Sequence, residues 1–456
     1  MTLSKYIKKL TNLFKNKRTK AKTEELVQKM VEHKTPRIHA ISSDRNEYER
    51  NKTLLDNSLK EVLDDKKVSQ ALKENSIEKF RDKKRVYTLS DHCDIRKEHS
   101  WKMENLGKVR NLSGGIINGF SSLAFIAIDE NKRDITLIDV TVFSNAEKRF
   151  IAQKELELYR NKKIEDKARV AEIKALVDKD EHINMTVSLI RQSRIASATL
   201  KSANPDITVC HNHDRFADMA EFFVHVDQKL KDEFVVRGTA KRISNQTKID
   251  ANGKVKNIKL IDSKFVNKNV ETIDKLRLKG KLYEQAQVTI EWDKIEIEGH
   301  EYNTVRITLA TREGENIFKK PMLLITNIEV NSYLQAKEIY HIYLLRSKIE
   351  AVFKFLKNVL GWEEFQVRDW ESIKNIIALC FFVGGYFYEI ESSLIDNPTI
   401  EIICELGNGK GTISRYYFLK GLEKLAIAQS VLKFKEDNEI SDEEWGEMMA
   451  FVEMSE

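Results

Sequence analysis

The spacing of apolar residues along the chain changes between helical and strand-like periods. Residues 24–85 place Leu, Val and Met among Lys and Glu at helical spacing, and this pattern predicts a small helical head. From residue 85 the pattern is typical of strands, with β-branched runs at 120–128 and 135–143. The polar residues 129–133 between these runs predict a β-hairpin.

The next part of the chain mixes helices with short strands. Helical spacing covers residues 145–200 and 217–230, and strand-like runs occur at 207–211 and 234–236. Because short, separated strands can join one sheet, this order predicts a mixed α/β core in which distant acidic residues meet at strand ends.

Residues 240–330 differ from both neighbours, because polar turns separate alternating runs such as 288–292 and 305–309. This pattern predicts a β-rich insertion. Helical spacing returns at 331–360 and continues in further predicted helices, which include residues 371–393 and 412–434.

Length and composition exclude several classes of protein. The chain has 456 residues, enough for about three domains, and its 41% hydrophobic and 32% charged residues are typical of a soluble globular protein. Its longest apolar run, Ile376–Phe387, is shorter than the roughly 20 residues that span a bilayer. The four cysteines form no CxxC pair, so neither a zinc knuckle nor a disulfide framework is indicated, and a reducing cytoplasm is expected.

Charge is unevenly distributed, although its formal sum is only +6. Residues 1–23 have basic side chains and no acidic one, whereas residues 436–456 have acidic side chains and no basic one. The basic residues of the N-terminal segment are Lys5, Lys8, Lys9, Lys15, Lys17, Arg18, Lys20 and Lys22. Such a segment is typical of an arm that binds nucleic acid, although a merely solvated, lysine-rich terminus explains the charge equally well.

The most informative spacing lies in residues 343–357. At about 100° per residue, four polar residues share one narrow helix face, opposite an apolar face: Tyr343, Arg346, Glu350 and Lys357. On periodicity alone, an i,i+4 salt bridge between Arg346 and Glu350 on a surface helix is the favoured explanation.

The gaps between these four residues match a known signature. Two residues separate the Tyr from the Arg, three separate the Arg from the Glu, and six separate the Glu from the Lys. This spacing resembles the YREK signature of bacterial cut-and-paste DDE transposases of the insertion-sequence-four type. The resemblance covers roughly residues 80–390, and it implies an RNase H-like core with two further catalytic aspartates. It also implies a cytoplasmic, nucleoid-associated enzyme that acts on double-stranded DNA, both transposon ends and target, as a homodimer in a synaptic complex and without a membrane partner.

The second aspartate is implied by the text DRFAD at residues 214–218. This text resembles the second-aspartate motif of the family at a strand end. It therefore implies Asp214 as a catalytic residue and Arg215 as a contact to DNA phosphate.

The first aspartate is implied by the strand text SDHCD, which offers Asp91 and Asp94. The family pattern favours Asp91, although Cys93 stands where Ser or Thr is usual. Asp139, on another predicted strand, is a weaker candidate, because a strand aspartate of this kind is more often structural.

The resemblance implies three catalytic acids, Asp91, Asp214 and Glu350, and carboxylates suit phosphodiester cleavage and strand transfer. This chemistry generates a nucleophile and stabilises charge on attacking and leaving oxygens, which two divalent cations about 3.5–4 Å apart can do. Three carboxylates suffice to hold two Mg²⁺ or Mn²⁺ ions that keep part of their water. Tyr343, Arg346 and Lys357 then bind phosphate, and they position the DNA rather than read its sequence.

Two further features bear on the chemistry. Family members that excise DNA through a hairpin carry a Trp upstream of the Tyr, whereas this chain has Met322, which lacks the large π-face for stacking on a flipped base. The excision route therefore stays open. Cys210, His211 and His213 form a cluster of metal-ligand residue types, but strand alternation directs Cys210 to the other face, so a zinc site is not expected.

The sequence therefore predicts a DDE transposase of the α/β class, with an RNase H-like mixed sheet core, a β-rich insertion domain, a helical N-terminal head and a helical C-terminal region. The predicted boundaries are 1–80 for the basic DNA-binding head, 81–239 and 331–365 for the core, 240–330 for the insertion, and 366–456 for the C-terminal region, a possible dimerisation domain. Two alternatives stay open: a metal-dependent DNA nuclease that cuts without joining, and a catalytically silent DNA-binding protein derived from a transposase.

Overall fold

The computed structural model describes residues 2–56, 61–132, 134–249, 254–278, 281–394, 398–411, 413 and 415–446. The chain forms two compact units, Thr2–Tyr386 and a smaller unit that begins at Phe387. Residues 447–456 of the predicted C-terminal region lie outside the described residues.

Helices form the N-terminal part of the larger unit, as the apolar spacing predicts. They are α1 (Leu3–Thr11), α2 (Lys17–His33), α3 (Ile38–Ile41), α4 (Arg45–Leu55) and α5 (Asp65–Phe80). The side chains of Asn16, Asp44 and Asp64 cap α2, α4 and α5, because each accepts a hydrogen bond from a first-turn amide that has no partner within its helix.

The basic N-terminal segment is folded into packed helices rather than forming a detached arm. Tyr6 of α1 is fully buried, its hydroxyl donates to the backbone oxygen of Phe382 at 3.0 Å, and the two rings lie 4.5 Å apart. Lys9 donates to Asn75 at 2.7 Å and pairs with Glu78 at 2.6 Å. Part of the basic charge of this segment is therefore already neutralised within the head.

A mixed sheet forms the centre of the larger unit. Its core strands are β1 (Arg85–Arg96), β2 (Gly107–Arg110), β3 (Ile116–Asp129), β4 (Ile135–Phe143), β5 (Thr208–His213) and β6 (Glu233–Arg237). β3 and β4 form the predicted hairpin, although residue 133 of its turn lies outside the described ranges. β1 pairs antiparallel with β3 and parallel with β5, which in turn pairs parallel with β6.

Helices cover this sheet. After β4 come α6 (Gln153–Arg160), α7 (Lys167–Asp178) and α8 (Met185–Ala203), and after β5 come α9 (Ala220–Val224) and a π-helical turn at His225–Leu230. Leu189 and Leu200 of α8 pack in one buried core with Val86 and Phe125 of the sheet. The predicted α/β class is confirmed, and the mixed sheet with helical flanks is compatible with an RNase H-like core.

The β-rich insertion continues the core sheet. Its strands are β7 (Ile243–Ile249), β8 (Val255–Lys259), β9 (Asn267–Leu278), β10 (Lys281–Ile297), β11 (His300–Ala310) and β12 (Met322–Thr326). β12 pairs with β6, and β11, β10 and β9 follow in order, so the core and the insertion share one ten-stranded sheet in the described part of the chain. β7 and β8 form a separate hairpin.

The four signature residues do not lie on one continuous helix. α10 (Tyr333–Leu344) ends before Arg346, and α11 (Ser347–Asn358) begins after it. In the turn between them the amide of Arg346 bonds to the oxygen of Tyr343 at 3.0 Å, three residues earlier instead of four. The single helix predicted for residues 343–357 is therefore wrong.

A tertiary contact explains this break. The side-chain amide of Asn212, on β5, donates to the backbone oxygen of Ile342, which a continuous α-helix would use for the amide of Arg346. Leu344, an apolar residue next to Tyr343, is exposed at this turn. The turn fixes the end of α10 against the sheet.

A long apolar helix, α12 (Trp370–Leu394), contains the predicted buried run Ile376–Phe387. Its stretch Trp370–Ser392 is long and apolar enough to cross a membrane, but 83% of its most apolar window is buried inside the protein. This burial is typical of a core helix.

The smaller unit contains α13 (Thr399–Leu406) and α14 (Arg415–Asp437). The two helices approach closely at Gly421. A Cβ at this position would clash with the backbone oxygen of Ile403, so the close approach requires glycine. Of the helix predicted for 412–434, residues 412 and 414 lie outside the described residues. α14 leaves large apolar side chains exposed: Leu425, Ile427, Val431, Leu432 and Phe434.

Candidate active site

Two neighbouring strands bring Asp91 and Asp214 to the same place in the sheet. The parallel pairing of β1 and β5 extends to Leu89 and Asn212, and each aspartate follows two residues later on its own strand or just beyond it. Because positions two apart on a strand point to the same face, both aspartates face α10 and α11. Ligands of open α/β sheets bind at this carboxyl end of parallel strands.

Asp91 is bound by a guanidinium from the signature. Its Oδ2 accepts a hydrogen bond from Nη1 of Arg346 at 2.6 Å, and its Oδ1 accepts one from the amide of His92 at 2.9 Å. Burial raises the pKa of Asp91 above its ordinary value, although Arg346 favours the charged carboxylate. The aspartate is therefore held by a cation in a partly desolvated position.

Asp214 is bound by the signature tyrosine. The hydroxyl of Tyr343 donates to Oδ1 of Asp214 at 3.2 Å, and a guanidinium nitrogen of Arg237 lies 3.8 Å from the same oxygen. Burial, followed by the charge of Asp214, raises the pKa of Tyr343, so the phenol keeps the proton that it donates. Arg237 was not predicted from the sequence, although its place at the end of β6, the strand next to β5, could have indicated it.

Glu350 is joined to Asp91 through Arg346. Nη2 of Arg346 donates to Oε1 of Glu350, one turn further along the chain. The side chain of Glu350 is 57% exposed, whereas that of Arg346 is only 15% exposed. The i,i+4 pair is thus present, but the same guanidinium also binds Asp91, so it is more than a surface salt bridge.

Lys357 lies in the last turn of α11, where it contacts β1. Its Nζ donates to the backbone oxygen of Asp94 at 2.6 Å and to Glu363 at 3.0 Å. Gly361, at a φ of 60°, follows α11, and the amide of Trp362 bonds back to the oxygen of Leu356 at 2.9 Å. This turn returns the chain so that Glu363 lies beside Lys357.

Glu363 also binds Arg96, at the end of β1. The guanidinium of Arg96 donates to both carboxylate oxygens, at 3.1 and 2.9 Å, and the Arg96 amide donates at 2.9 Å. Burial opposes the charged form of Glu363, yet these bonds and Lys357 hold its pKa below the ordinary value. Sequence reasoning missed Glu363, because its partners lie on a distant strand and across a helix end.

The other aspartate candidates lie away from this site. The carboxylate of Asp94 faces the opposite way, where it accepts hydrogen bonds from the amide of Arg110 at 3.2 Å and the hydroxyl of Ser121 at 3.5 Å. Asp139 is buried against α5, where Ser69 bonds to it, and burial raises its pKa. Arg215 is exposed beside Asp214.

The histidine cluster lies behind the site, within the core. His211 bonds through Nδ1 to Thr88 at 2.8 Å and through Nε2 to Asp232 at 3.1 Å, and His213 bonds to Ser90 at 2.6 Å. Asn212, next to them on β5, points the other way and fixes α10. These histidines therefore stabilise the pairing of β1 with β5.

The structure does not arrange the acids as a metal site. Among the described residues no group of three His, Cys, Asp or Glu side chains is placed to hold a metal ion. Oxygens of Asp91 and Glu350 bind the Arg346 guanidinium, and an oxygen of Asp214 binds the Tyr343 hydroxyl. In this arrangement the donor set for a metal ion is therefore not free.

Positive charge is concentrated in two regions of the chain. In the N-terminal segment the exposed basic residues are Lys5, Lys8, Lys15, Lys17 and Arg18, whereas Lys9, Lys20 and Lys22 are half-buried. Partial burial and the charges of Arg18 and Arg50 lower the pKa of Lys22, so positive charge is concentrated there. Residues 241–281 of the insertion carry twelve basic and four acidic side chains, an excess that the comparison of the chain ends alone did not reveal.

Comparison with known proteins supports one family for part of the chain. A family model described as a transposase DDE domain matches residues 227–383. The matched segment includes Tyr343, Arg346 and Glu350, whereas Asp91 and Asp214 precede it. No curated protein gives a significant match. The family match supports transposase function in general, and with it DNA binding and a nuclease or transferase type of enzyme.

Proposed function

We propose that this protein is a cut-and-paste DDE transposase, which binds transposon ends and catalyses DNA cleavage and strand transfer. The observation that carries the proposal is the contact of one guanidinium, that of Arg346, with both Asp91 and Glu350, beside the bond from Tyr343 to Asp214. These acids come from three distant parts of the sequence. Their contacts with neighbouring signature residues support the proposal.

The roles of the residues follow from their chemistry. Asp91, Asp214 and Glu350 would hold two divalent cations, Mg²⁺ or Mn²⁺, once these carboxylates are released from their present partners. Such ions polarise the phosphodiester and generate a nucleophile at neutral pH.

The basic side chains of the site would bind the DNA backbone. Arg346 would bind a phosphate through two parallel hydrogen bonds, whereas Lys357 would act as a point charge. Tyr343 would donate to a backbone oxygen, and Arg215 would contact phosphate at the exposed rim. Contacts of this kind fix the register of the DNA without reading its sequence.

The rest of the chain supports binding and assembly. The basic head would recognise transposon ends, and the enzyme would act in the cytoplasm, associated with the nucleoid. The smaller unit would pair two subunits in a synaptic complex, because α14 exposes more apolar surface than a solvated helix needs.

Glu350→Gln tests the assignment directly. It keeps the size of the side chain and removes the charge, so we expect Mg²⁺-dependent cleavage of transposon-end DNA to fall to background while DNA affinity stays within about threefold. Glu338→Gln is the matched control, because Glu338 is a half-exposed glutamate on α10 that pairs with Lys132 away from the site. Retained cleavage in the Glu350 variant would contradict the proposal.

The same assay separates the alternatives. Wild-type protein that cuts end DNA but never joins it to a target plasmid would be a nuclease. Wild-type protein that binds ends and neither cuts nor joins would be a catalytically silent relative. Cutting and joining that both disappear in the Glu350 variant support the transposase.

A further inference from the structure

Arg346 stands where the three acids would have to receive metal ions. Its guanidinium donates to one oxygen of Asp91, at 2.6 Å, and to one oxygen of Glu350, and no group of three His, Cys, Asp or Glu side chains in the described ranges is placed to hold a metal ion. A divalent cation needs the same oxygens, and a fixed positive charge beside them repels it. The signature arginine and the metal ions therefore compete for one binding site.

The competition is strong because Arg346 is poorly solvated. Its side chain is only 15% exposed, so removing its carboxylate partners would leave a buried charge unpaired. Burial opposes the charged guanidinium, yet the carboxylates of Asp91 and Asp214 raise its pKa above the ordinary value, and the side chain stays positive. Arg346 can therefore leave the acids only if another anion takes their place.

A DNA phosphate is an anion of the right geometry. Guanidinium groups bind phosphate through two parallel hydrogen bonds, as they bind carboxylate. Arg346 lies in the turn between α10 and α11, and rotation about its side-chain bonds is enough to redirect the guanidinium. Exchange of the carboxylates for a phosphate is thus a local change.

We propose that Arg346 is an internal cation that occupies Asp91 and Glu350 in the DNA-free protein, so that a backbone phosphate must withdraw it before divalent cations bind well. This inference rests on the proposed transposase function. It makes metal binding and DNA binding mutually favourable. If phosphate binding raises the affinity for the metal by some factor, metal binding raises the affinity for phosphate by the same factor. The protein would then acquire its metal site mainly on DNA, where cleavage is wanted.

Titration of the full-length protein with Mn²⁺, followed by calorimetry, tests the coupling. For wild-type protein without DNA we expect weak binding, and for Arg346→Met we expect about 5- to 150-fold tighter binding, the usual range of coupling between two sites. Arg306→Met is the matched control, because Arg306 is 14% exposed, close to the value for Arg346, and pairs with Glu291 at 2.7 Å on strands beyond β6 and β12. The control should bind Mn²⁺ like the wild type.

A second measurement uses the wild-type protein, so it tests the proposal even if Arg346→Met does not fold. Addition of a 20-base-pair duplex, corrected for Mn²⁺ bound by the duplex alone, should tighten Mn²⁺ binding to wild-type protein within the same range. In a folded Arg346→Met protein the duplex should have little further effect. Circular dichroism establishes which variants are folded.

The outcomes separate this inference from the proposed function. A wild type that cleaves end DNA but binds Mn²⁺ equally with and without duplex overturns the coupling alone. A folded Arg346→Met protein that binds Mn²⁺ no better than wild type overturns it too. A wild type that binds no Mn²⁺ in either state and cuts no DNA overturns both.

Discussion

Glu363 pairs with two cations beside the candidate site, Arg96 and Lys357. Its carboxylate accepts hydrogen bonds from the guanidinium and amide of Arg96 and from Lys357, and it lies largely out of water. A carboxylate with this many donors stabilises the fold and fixes where Lys357 points. Loss of its charge would leave two partly buried cations without an anion.

Replacement of Glu363 by Gln should therefore lower the free energy of unfolding by about 1–3 kcal/mol. Urea unfolding at 25 °C and neutral pH measures this change in the free energy of unfolding. Glu364→Gln is the control, because Glu364 forms a half-exposed pair with Arg37 at 2.8 Å, and such pairs contribute about 0–1 kcal/mol. Equal effects of the two variants would contradict the role of Glu363.

The same carboxylate predicts a pH dependence. Because the folded pKa of Glu363 is held below its ordinary value, its contribution is complete above the unfolded pKa of about 4.3 and is lost as the pH falls through the folded value. We expect the stability difference between wild type and Glu363→Gln to shrink below about pH 4.3. A difference that stays constant from pH 7 to pH 3 would contradict this linkage.

Residues that meet through tertiary contacts set the limit of sequence reasoning here. The spacing of Tyr343, Arg346 and Glu350 indicated the site because these residues are close in sequence and match a signature. Glu363 and Arg237 have no such spacing, since their partners are brought near only by a turn at Gly361 and by strand pairing. The spacing offered the pair of Arg346 with Glu350, but the bond from Arg346 to Asp91 could not be predicted, because Asp91 lies on a distant strand.

At the scale of elements, α1 is a structural part of the head as well as a carrier of basic charge. The Tyr6 hydroxyl reaches the backbone of α12 beside Gly385, where a Cβ would clash with the Tyr6 oxygen. Removal of residues 1–23 would expose this interface and unfold part of the larger unit. Single substitutions separate the two roles of α1 better than truncation does.

Tyr6→Ala should lower the free energy of unfolding by about 3–5 kcal/mol, because it leaves a cavity against α12. Lys8→Ala, two residues away on the exposed side of α1, should change it by less than about 0.5 kcal/mol. Thermal or urea unfolding measures both. A Tyr6 variant as stable as the wild type would mean that α1 does not anchor the head.

Most elements followed from apolar spacing, and the exceptions have tertiary causes. The β3–β4 hairpin, β5 and β6 lie where alternation predicted strands, because each has one or both faces in the core. The break at Leu345 and Arg346 did not follow, because it depends on Asn212, more than a hundred residues earlier. The continuity of the insertion with the core sheet likewise depends on the pairing of β12 with β6, which no local pattern specifies.

At the scale of the whole molecule, positive charge is concentrated in two regions outside the candidate site, the N-terminal segment and residues 241–281. The second region includes the β7–β8 hairpin, on which Lys248 and Lys259 are exposed. Each lysine that contacts a phosphate releases a counterion, so binding becomes more sensitive to salt. The insertion should therefore contribute to DNA affinity in addition to extending the sheet.

The double variant Lys248→Ala, Lys259→Ala should reduce the slope of log affinity against log salt by up to about 1.8, or about 0.9 for each lost phosphate contact. Fluorescence anisotropy with a duplex at several salt concentrations measures the slope. Lys154→Ala with Lys163→Ala is the control, because these exposed lysines lie outside both basic regions, on and just after α6, and their loss gives the same change in net charge. Equal slopes for both double variants would remove the hairpin from the interface.

The pairing of two subunits is also a property of the whole molecule, and the exposed apolar side chains of α14 lead us to expect it. The helix exposes large apolar side chains on more than one side, with Ile427 64% exposed and Phe434 also exposed, and exposed apolar surface of this kind marks an interaction site. We therefore expect a second subunit to cover it, and Ile427→Asp should shift sedimentation of the end-DNA complex from dimer to monomer. Gln429→Asp places the same charge on the same helix at an exposed polar position and should leave the dimer intact. If both variants sediment as the wild type does, α14 is not the subunit interface, and pairing must use another surface.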